Sequence, residues 1–179
     1  MHLSEILTHL GEDRQQYFEA VAPPVIQTSN FAFRTLDDFR QAIGEELEHH
    51  VYTRGNNPTV AILRKKLAAL EGTEDALVLG SGAAAVATAV LSQVSQGDHV
   101  VCVQKPYSWT WKLLSKWLPR FGVETTFVDG RELANFEAAL RPNTRLIYLE
   151  SPNSLTFELQ DLEGVARLAR SRGIVTAID

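Results

Sequence analysis

The sequence predicts an α/β fold, a mostly parallel sheet flanked by helices, and three observations predict it. From Pro58 onward, short apolar runs alternate with helical patterns, as strand–helix–strand units require. The strand runs, such as His99–Val103 and Arg145–Leu149, are near-continuously apolar rather than alternating, which fits strands covered on both faces. The chain has 179 residues, 45% hydrophobic and 22% charged, enough length and apolar content to bury a core.

Taken in order, Met1 to Leu10 reads as a short amphipathic helix. Val21-Ala22-Pro23-Pro24-Val25 must then be extended, because two prolines block helix. Thr35-Leu36-Asp37-Asp38 resembles a capping box, and Leu36, Phe39, Ile43 and Leu47 follow it at helical spacing. Arg54-Gly55-Asn56-Asn57-Pro58 is dense in turn formers and reads as an ordered loop. Residues 1–57 thus hold helices but no convincing buried strand, and they read as an N-terminal arm; residues 58–179 read as the main domain.

Pro58 suits a helix start, with Val60, Leu63, Leu67 and Leu70 on one face. Five strands are predicted: Ala76–Leu79, His99–Val103, Glu124–Val128, Arg145–Leu149 and Ile174–Ile178. Between them fall four helices: an alanine-rich one over Gly82–Val94, one over Trp109–Leu118 ended by Pro119, one marked by Leu133, Phe136 and Leu140, and one over Asp161–Arg170. Trp109, Trp111 and Trp117 sit at helical spacings and are expected to pack inward, and Cys102 inside an apolar strand is expected to be inert core. The chain stops at the tip of what should be a central strand, so the domain is expected to be truncated at its C-terminus.

Composition narrows the function. With 17 Lys+Arg against 22 Asp+Glu the net charge is −5, which offers no electrostatic footprint for nucleic acid or anionic lipid. A single cysteine excludes a disulfide framework, and the five histidines show no ligand spacing with carboxylates, so no metal site is expected. Without a secretory signal or a spanning apolar stretch, the expectation is a soluble, cytoplasmic protein with no membrane partner.

In open parallel sheets ligands bind beyond the carboxyl ends of the strands. The predicted strands are followed there by Gly80-Ser81-Gly82-Ala83, by Lys105-Pro106-Tyr107-Ser108, by Glu150-Ser151-Pro152-Asn153-Ser154, and by Asp179. The glycine turn leads into a helix, so its free N–H groups and the Ser81 hydroxyl either cradle a phosphate or simply make a capped strand-to-helix turn. Tyr107 is either core or a ring stacked on a flat cofactor. Asp179 is either a solvated acid or a carboxylate that keeps a heteroaromatic nitrogen protonated. Tyr52 and Arg54 either lie at the surface or offer a phenol and a guanidinium to a phosphate. Gly80, Gly82 and Ala85 also match G-x-G-x-x-A, but the next strand ends in Gln104-Lys105 rather than in an acid, which weighs against a dinucleotide-binding oxidoreductase.

Tyr52-Thr53-Arg54-Gly55-Asn56-Asn57-Pro58-Thr59, Leu70-Glu71-Gly72, Gly80-Ser81-Gly82-Ala83-Ala84-Ala85, Gln96-Gly97-Asp98-His99-Val100, Glu150-Ser151-Pro152 and Ala177-Ile178-Asp179 together resemble the Cys/Met metabolism (transsulfuration) enzymes that use pyridoxal phosphate. Gly82–Ala87 and Glu150–Thr156 look most like cystathionine β-lyase, whereas Arg54–Thr59 looks more like the γ-synthase and γ-lyase branch, methionine γ-lyase included.

The resemblance implies a PLP-dependent transferase fold of type I and a carbon–sulfur lyase acting on cystathionine or a related sulfur amino acid in methionine metabolism. It implies that Ser81, Gly82 and Ala83 hold the cofactor phosphate, that Tyr52 and Arg54 reach the phosphate of a neighbouring subunit, and that Tyr107 stacks on the pyridine ring and takes part in proton transfer. Asp179 would pair with the pyridinium nitrogen. Ser154 stands where the γ branch usually has Asn near the cofactor's phenolic oxygen, and Glu150 would support the site. Self-association into dimers, and from them a homotetramer, is implied too. The Schiff-base lysine of such enzymes lies beyond the Asp179 match, and none of Lys65, Lys66, Lys105, Lys112 and Lys116 occupies its position, so this chain is expected to be an N-terminal fragment inactive by itself. A non-catalytic homologue is the remaining alternative.

Overall fold

The computed structural model describes residues 2–179, which gather into two compact units, one ending at Val78 and one over Leu79–Asp179.

In the first unit α1 spans Leu3–Thr8, inside the expected Met1–Leu10 helix, of which Met1 lies outside the described residues. The predicted capping box is formed at α2 (Leu36–Gly44): the Thr35 hydroxyl accepts the Asp38 N–H at 3.0 Å, and the Asp38 carboxylate accepts the Thr35 N–H at 3.1 Å. Pro58 opens α3 (Pro58–Glu71), where its missing N–H costs nothing, and Asn57 caps the helix by accepting the Thr59 N–H at 2.9 Å. Buried Asn57 also donates to the Ile26 carbonyl at 3.0 Å, which ties the extended proline segment to α3. A single antiparallel bridge, Asn30 with Tyr52, is the β pairing among this unit's described residues.

In the second unit four parallel strands lie in the order β2-β1-β3-β4. These are β1 (His99–Val103), β2 (Glu124–Val128), β3 (Thr144–Leu149) and β4 (Val175–Ile178), and the helices are α4 (Gly82–Leu91), α5 (Ser108–Lys112), α6 (Leu133–Ala139) and α7 (Leu162–Ser171). β1 is buried along its whole length, and its side chains join Val90 of α4, Phe136 of α6 and Val165 and Ala169 of α7 in one core.

Two expectations need correction, the strand at Ala76–Leu79 and the helix over Trp109–Leu118 with its tryptophans. Ala76–Leu79 forms no strand: backbone pairing needs a neighbour, none of the four strands pairs with it, and Leu77 is 69% exposed. In this chain β4 pairs with β3, and Val175 and Ile178 are exposed. The helix predicted over Trp109–Leu118 is three consecutive turns of different pitch, α5, then a π turn over Leu113–Trp117, then a 3₁₀ turn over Leu118–Phe121. Pro119 sits in the first turn of that last piece, where it needs no donor, rather than ending the helix. Thr110, Leu114 and Leu118 form the stripe that faces the sheet, so Trp109, Trp111 and Trp117 lie off it and are half exposed instead of packed inward.

At the opposite edge from the strand tips, buried His99 bridges two strands: Nδ1 pairs with the Thr144 hydroxyl and Nε2 with the Thr126 hydroxyl, both at 2.9 Å. Burial, helped by the positive charge of Arg141, holds this imidazole below its ordinary pKa. The unfolded chain therefore takes up a proton near pH ~6.5 that the folded chain refuses, so this contribution to stability is complete above that pH and is lost as pH falls through it. His50, lowered by burial, acts in the same direction. In urea titrations between about pH 7.5 and about pH 5.5, the wild-type chain should lose stability more steeply than His99→Gln; equal slopes would remove His99 from the account.

Candidate functional site

The strand tips of the second unit meet the start of α4. Ser81 is extended, and its hydroxyl accepts the Ala84 N–H at 3.2 Å while its carbonyl accepts the Ala85 N–H at 3.0 Å. Gly82 and Ala83, as the first residues of the helix, have no intrahelical acceptor for their N–H groups. A Cβ placed on Gly80 or on Gly82 would meet nothing within 4 Å, so the approach to these donors is open. Aligned helix dipoles add a partial positive charge there, and the turn can hold a phosphate.

Gly82 lines a cavity of about 210 Å³ with Ala85, Tyr148, Ala177 and Asp179. Asp179 continues the β4 ladder by one bond, its N–H donating to the Leu149 carbonyl at 3.0 Å. Its carboxylate makes no hydrogen bond or ion pair among the described residues. Tyr148, inside the core beneath this cavity, has its phenol pushed up by burial and by the negative charge of Asp179. The turn around Gly82 and the acid at residue 179 thus border one space.

Ala83 and Tyr107 share a second, larger groove of about 600 Å³, whose outer wall is made by Trp109, Trp111 and Trp117. Tyr107 is 42% exposed, so its ring is presented at the surface and is not core. Its position is fixed from behind. The Glu150 carboxylate, buried at the tip of β3, accepts the Tyr107 N–H on Oε2 at 2.6 Å. On Oε1 it accepts the Ser154 N–H at 2.7 Å and also the Ser154 hydroxyl proton. Asn153 adds a longer link, its side-chain amide donating to the Lys105 carbonyl at 3.4 Å. Cys102, buried one strand away, has its thiol raised far above the ordinary range by burial first and by the Glu150 charge second, which makes it inert.

The structure therefore brings Gly82 and Asp179 to one cavity edge, with Ser81 as the N-cap next to Gly82, Ala83 and Tyr107 to the adjoining groove, and Ser154 onto the carboxylate that holds Tyr107. Tyr52 and Arg54 belong to the first unit, where the guanidinium lies 5.1 Å from the Tyr52 ring centroid. Sequence reasoning missed Tyr148 and the bridging role of Glu150. The signal for the first was the period of two along β3, which puts residues 148 and 150 on the same face. Among the described residues no three His, Cys, Asp or Glu cluster as a metal site would require.

An open helix start with free N–H groups, a carboxylate across a small cavity and a presented aromatic ring suit a flat, phosphate-bearing heteroaromatic group. The family model for the Cys/Met metabolism PLP-dependent enzymes matches residues 4–179. An L-methionine gamma-lyase of Treponema denticola is 39% identical over 163 residues, 91% of this chain and 40% of that one. An O-succinylhomoserine sulfhydrylase of Pseudomonas aeruginosa is 38% identical over 152 residues, 85% of this chain and 38% of its own length. A solved structure from Campylobacter jejuni, which holds N′-pyridoxyl-lysine-5′-monophosphate, superposes on all of this chain and 44% of that one, with a TM-score of 0.93 and 27% identity. The chain spans about two-fifths of the length of these relatives.

Ser81 is the N-cap of α4, and its loss can be read without any ligand. Ser81→Ala should lower stability by about 1 kcal/mol, seen as a modest drop in thermal midpoint; an unchanged midpoint would mean that the cap bond is not made in solution.

Proposed function

The chain belongs to the Cys/Met metabolism PLP-dependent enzymes, with the fold of type I, and from that premise we propose that the whole protein uses pyridoxal phosphate to break a carbon–sulfur bond in a sulfur amino acid. The observation that carries this reading is the single cavity bordered by the α4 turn at Gly82 and by Asp179. Bound pyridoxal phosphate supplies an electron sink for the charge that develops at the substrate's α-carbon.

The remaining work falls to this chain's own groups. The Gly82 and Ala83 N–H groups, with the Ser81 hydroxyl, hold the phosphate dianion. The Asp179 carboxylate accepts the hydrogen bond of the ring N–H and keeps that proton in place, which Asp179 can do because its side chain has no other partner. Tyr107 stacks its ring face on the cofactor and moves a proton to or from the substrate. Ser154, which would stand near the cofactor's phenolic oxygen, donates its hydroxyl hydrogen bond to Glu150 and would have only its lone pairs left to offer there. Tyr52 and Arg54 serve the phosphate of a neighbouring subunit, with residues 1–57 as the arm that carries them and residues 58–179 as part of the large domain. This arrangement makes the active unit a dimer, paired into a homotetramer in the cytoplasm.

Two cleavages fit the same site. Gly82–Ala87 and Glu150–Thr156 favour β cleavage of cystathionine, which releases homocysteine, ammonia and pyruvate. The identity to the Treponema γ-lyase and the Arg54–Thr59 loop favour γ cleavage, which from methionine releases methanethiol, ammonia and 2-oxobutanoate. Full-length protein incubated with each amino acid separates them: pyruvate from cystathionine supports the first, 2-oxobutanoate supports the second, and no oxo acid from either refutes the lyase reading. In the same protein Asp179→Ala should lower turnover by about a hundredfold or more while keeping most bound cofactor. Arg54→Ala should chiefly lower cofactor occupancy, measured by absorbance after dialysis. Equal loss of occupancy in both variants would contradict this division of roles.

A further inference from the structure

We infer that Glu150 is a positioning residue for Tyr107, a two-oxygen clamp that locks the loop after β1 to the loop after β3 and so sets where the Tyr107 ring stands. The inference rests on the reading of Tyr107 given above, and it assigns that residue's placement to a side chain that touches neither substrate nor cofactor.

Four observations carry it. Glu150 is 4% exposed and belongs to no ion pair among the described residues. A buried carboxylate without a cation is costly unless donors saturate it. Here three donors engage both oxygens, and they come from two different loops: the Tyr107 N–H on Oε2, and the Ser154 N–H and hydroxyl on Oε1. Lys105, two residues before Tyr107, holds a left-handed backbone at φ +57°, a conformation that a non-glycine residue keeps only where its surroundings enforce it. The pull of Glu150 on the Tyr107 N–H is such a constraint. The second link between the loops, from Asn153 to the Lys105 carbonyl, is long at 3.4 Å and cannot replace the clamp.

The chemistry of the group makes a sharp distinction. Both contacts require an acceptor, and a carboxylate offers one on each side. A glutamine of the same shape offers one acceptor and one NH₂ donor, so in Glu150→Gln one loop faces a donor with a donor and must let go. Aspartate keeps two acceptors but is one methylene short.

The test uses the full-length protein, loaded with cofactor for kinetics and stripped of it for hydrogen exchange. In Glu150→Gln, exchange should quicken about tenfold in peptides covering either the Tyr107 or the Ser154 amide, with no change at Val101 and Ile147 inside the sheet. Turnover should fall by about tenfold to a hundredfold with KM nearly unchanged, because substrate still binds while the proton-moving ring is misplaced. Glu150→Asp should recover part of both, and it carries the comparison should the glutamine variant not fold. Unchanged exchange at both amides, or faster exchange with unchanged turnover, overturns the proposal. A general loss of protection across the sheet also overturns it, because that is the mark of a merely structural acid. Wild-type protein that makes no oxo acid overturns the lyase reading instead, and the exchange data then still decide whether the clamp exists.

Discussion

All four strands of the second unit run parallel, and that constraint places everything else. Parallel pairing forces each connection to cross back over the sheet through a helix, so every strand delivers its carboxyl end to the same edge. Loops separated in sequence by tens of residues then gather there, the Tyr107 loop after β1, the Glu150 loop after β3 and Asp179 after β4, and the turn into α4 borders the same edge beside Asp179. The opposite edge receives the strand starts, where His99 is fully satisfied by two threonine hydroxyls and serves cohesion between strands.

A parallel sheet fixes strand ends, but it does not fix the loops beyond them. In this chain that task falls to a small buried polar group made of Glu150, Asn153 and Gln160, each less than a tenth exposed. Gln160 donates to the Asn153 side-chain oxygen at 3.1 Å, Asn153 reaches the Lys105 carbonyl, and Glu150 holds Tyr107. Apolar packing could not do the same, because dispersion contacts are non-directional, whereas a hydrogen bond to a particular backbone N–H specifies one loop conformation. A polar cluster at the mouth of an otherwise apolar core thus turns a stable sheet into a defined site.

What could be read from the sequence was local, and what could not was not. β1 is legible to the residue because it is a short apolar run with a turn former before it, β2 because its β-branched and aromatic residues follow the Gly122 turn, and the Thr35–Asp38 box names its own helix start. The family was legible from the order of its motifs. Ala76–Leu79 misleads because strand propensity says nothing about whether a partner strand is at hand. The tryptophans mislead because the π turn shifts which residues face the sheet, and no spacing rule written for uniform α-helix anticipates it. The Glu150 clamp was invisible for a related reason: its partner Tyr107 lies 43 residues away, and only the fold makes them neighbours.

Two acids stand at adjacent strand tips, and their surroundings divide the work between them. Glu150 is buried and has donors on both oxygens, so its carboxylate is turned to its own loops. Asp179 is exposed, engages the sheet through its backbone alone, and keeps both carboxylate oxygens open toward the cavity it shares with Gly82. Exchanging the two environments would give a site with a mobile ring and a carboxylate unable to accept a proton-bearing nitrogen. A carboxylate is therefore frame in one place and open to a ligand in the next, according to how many donors the fold has already supplied.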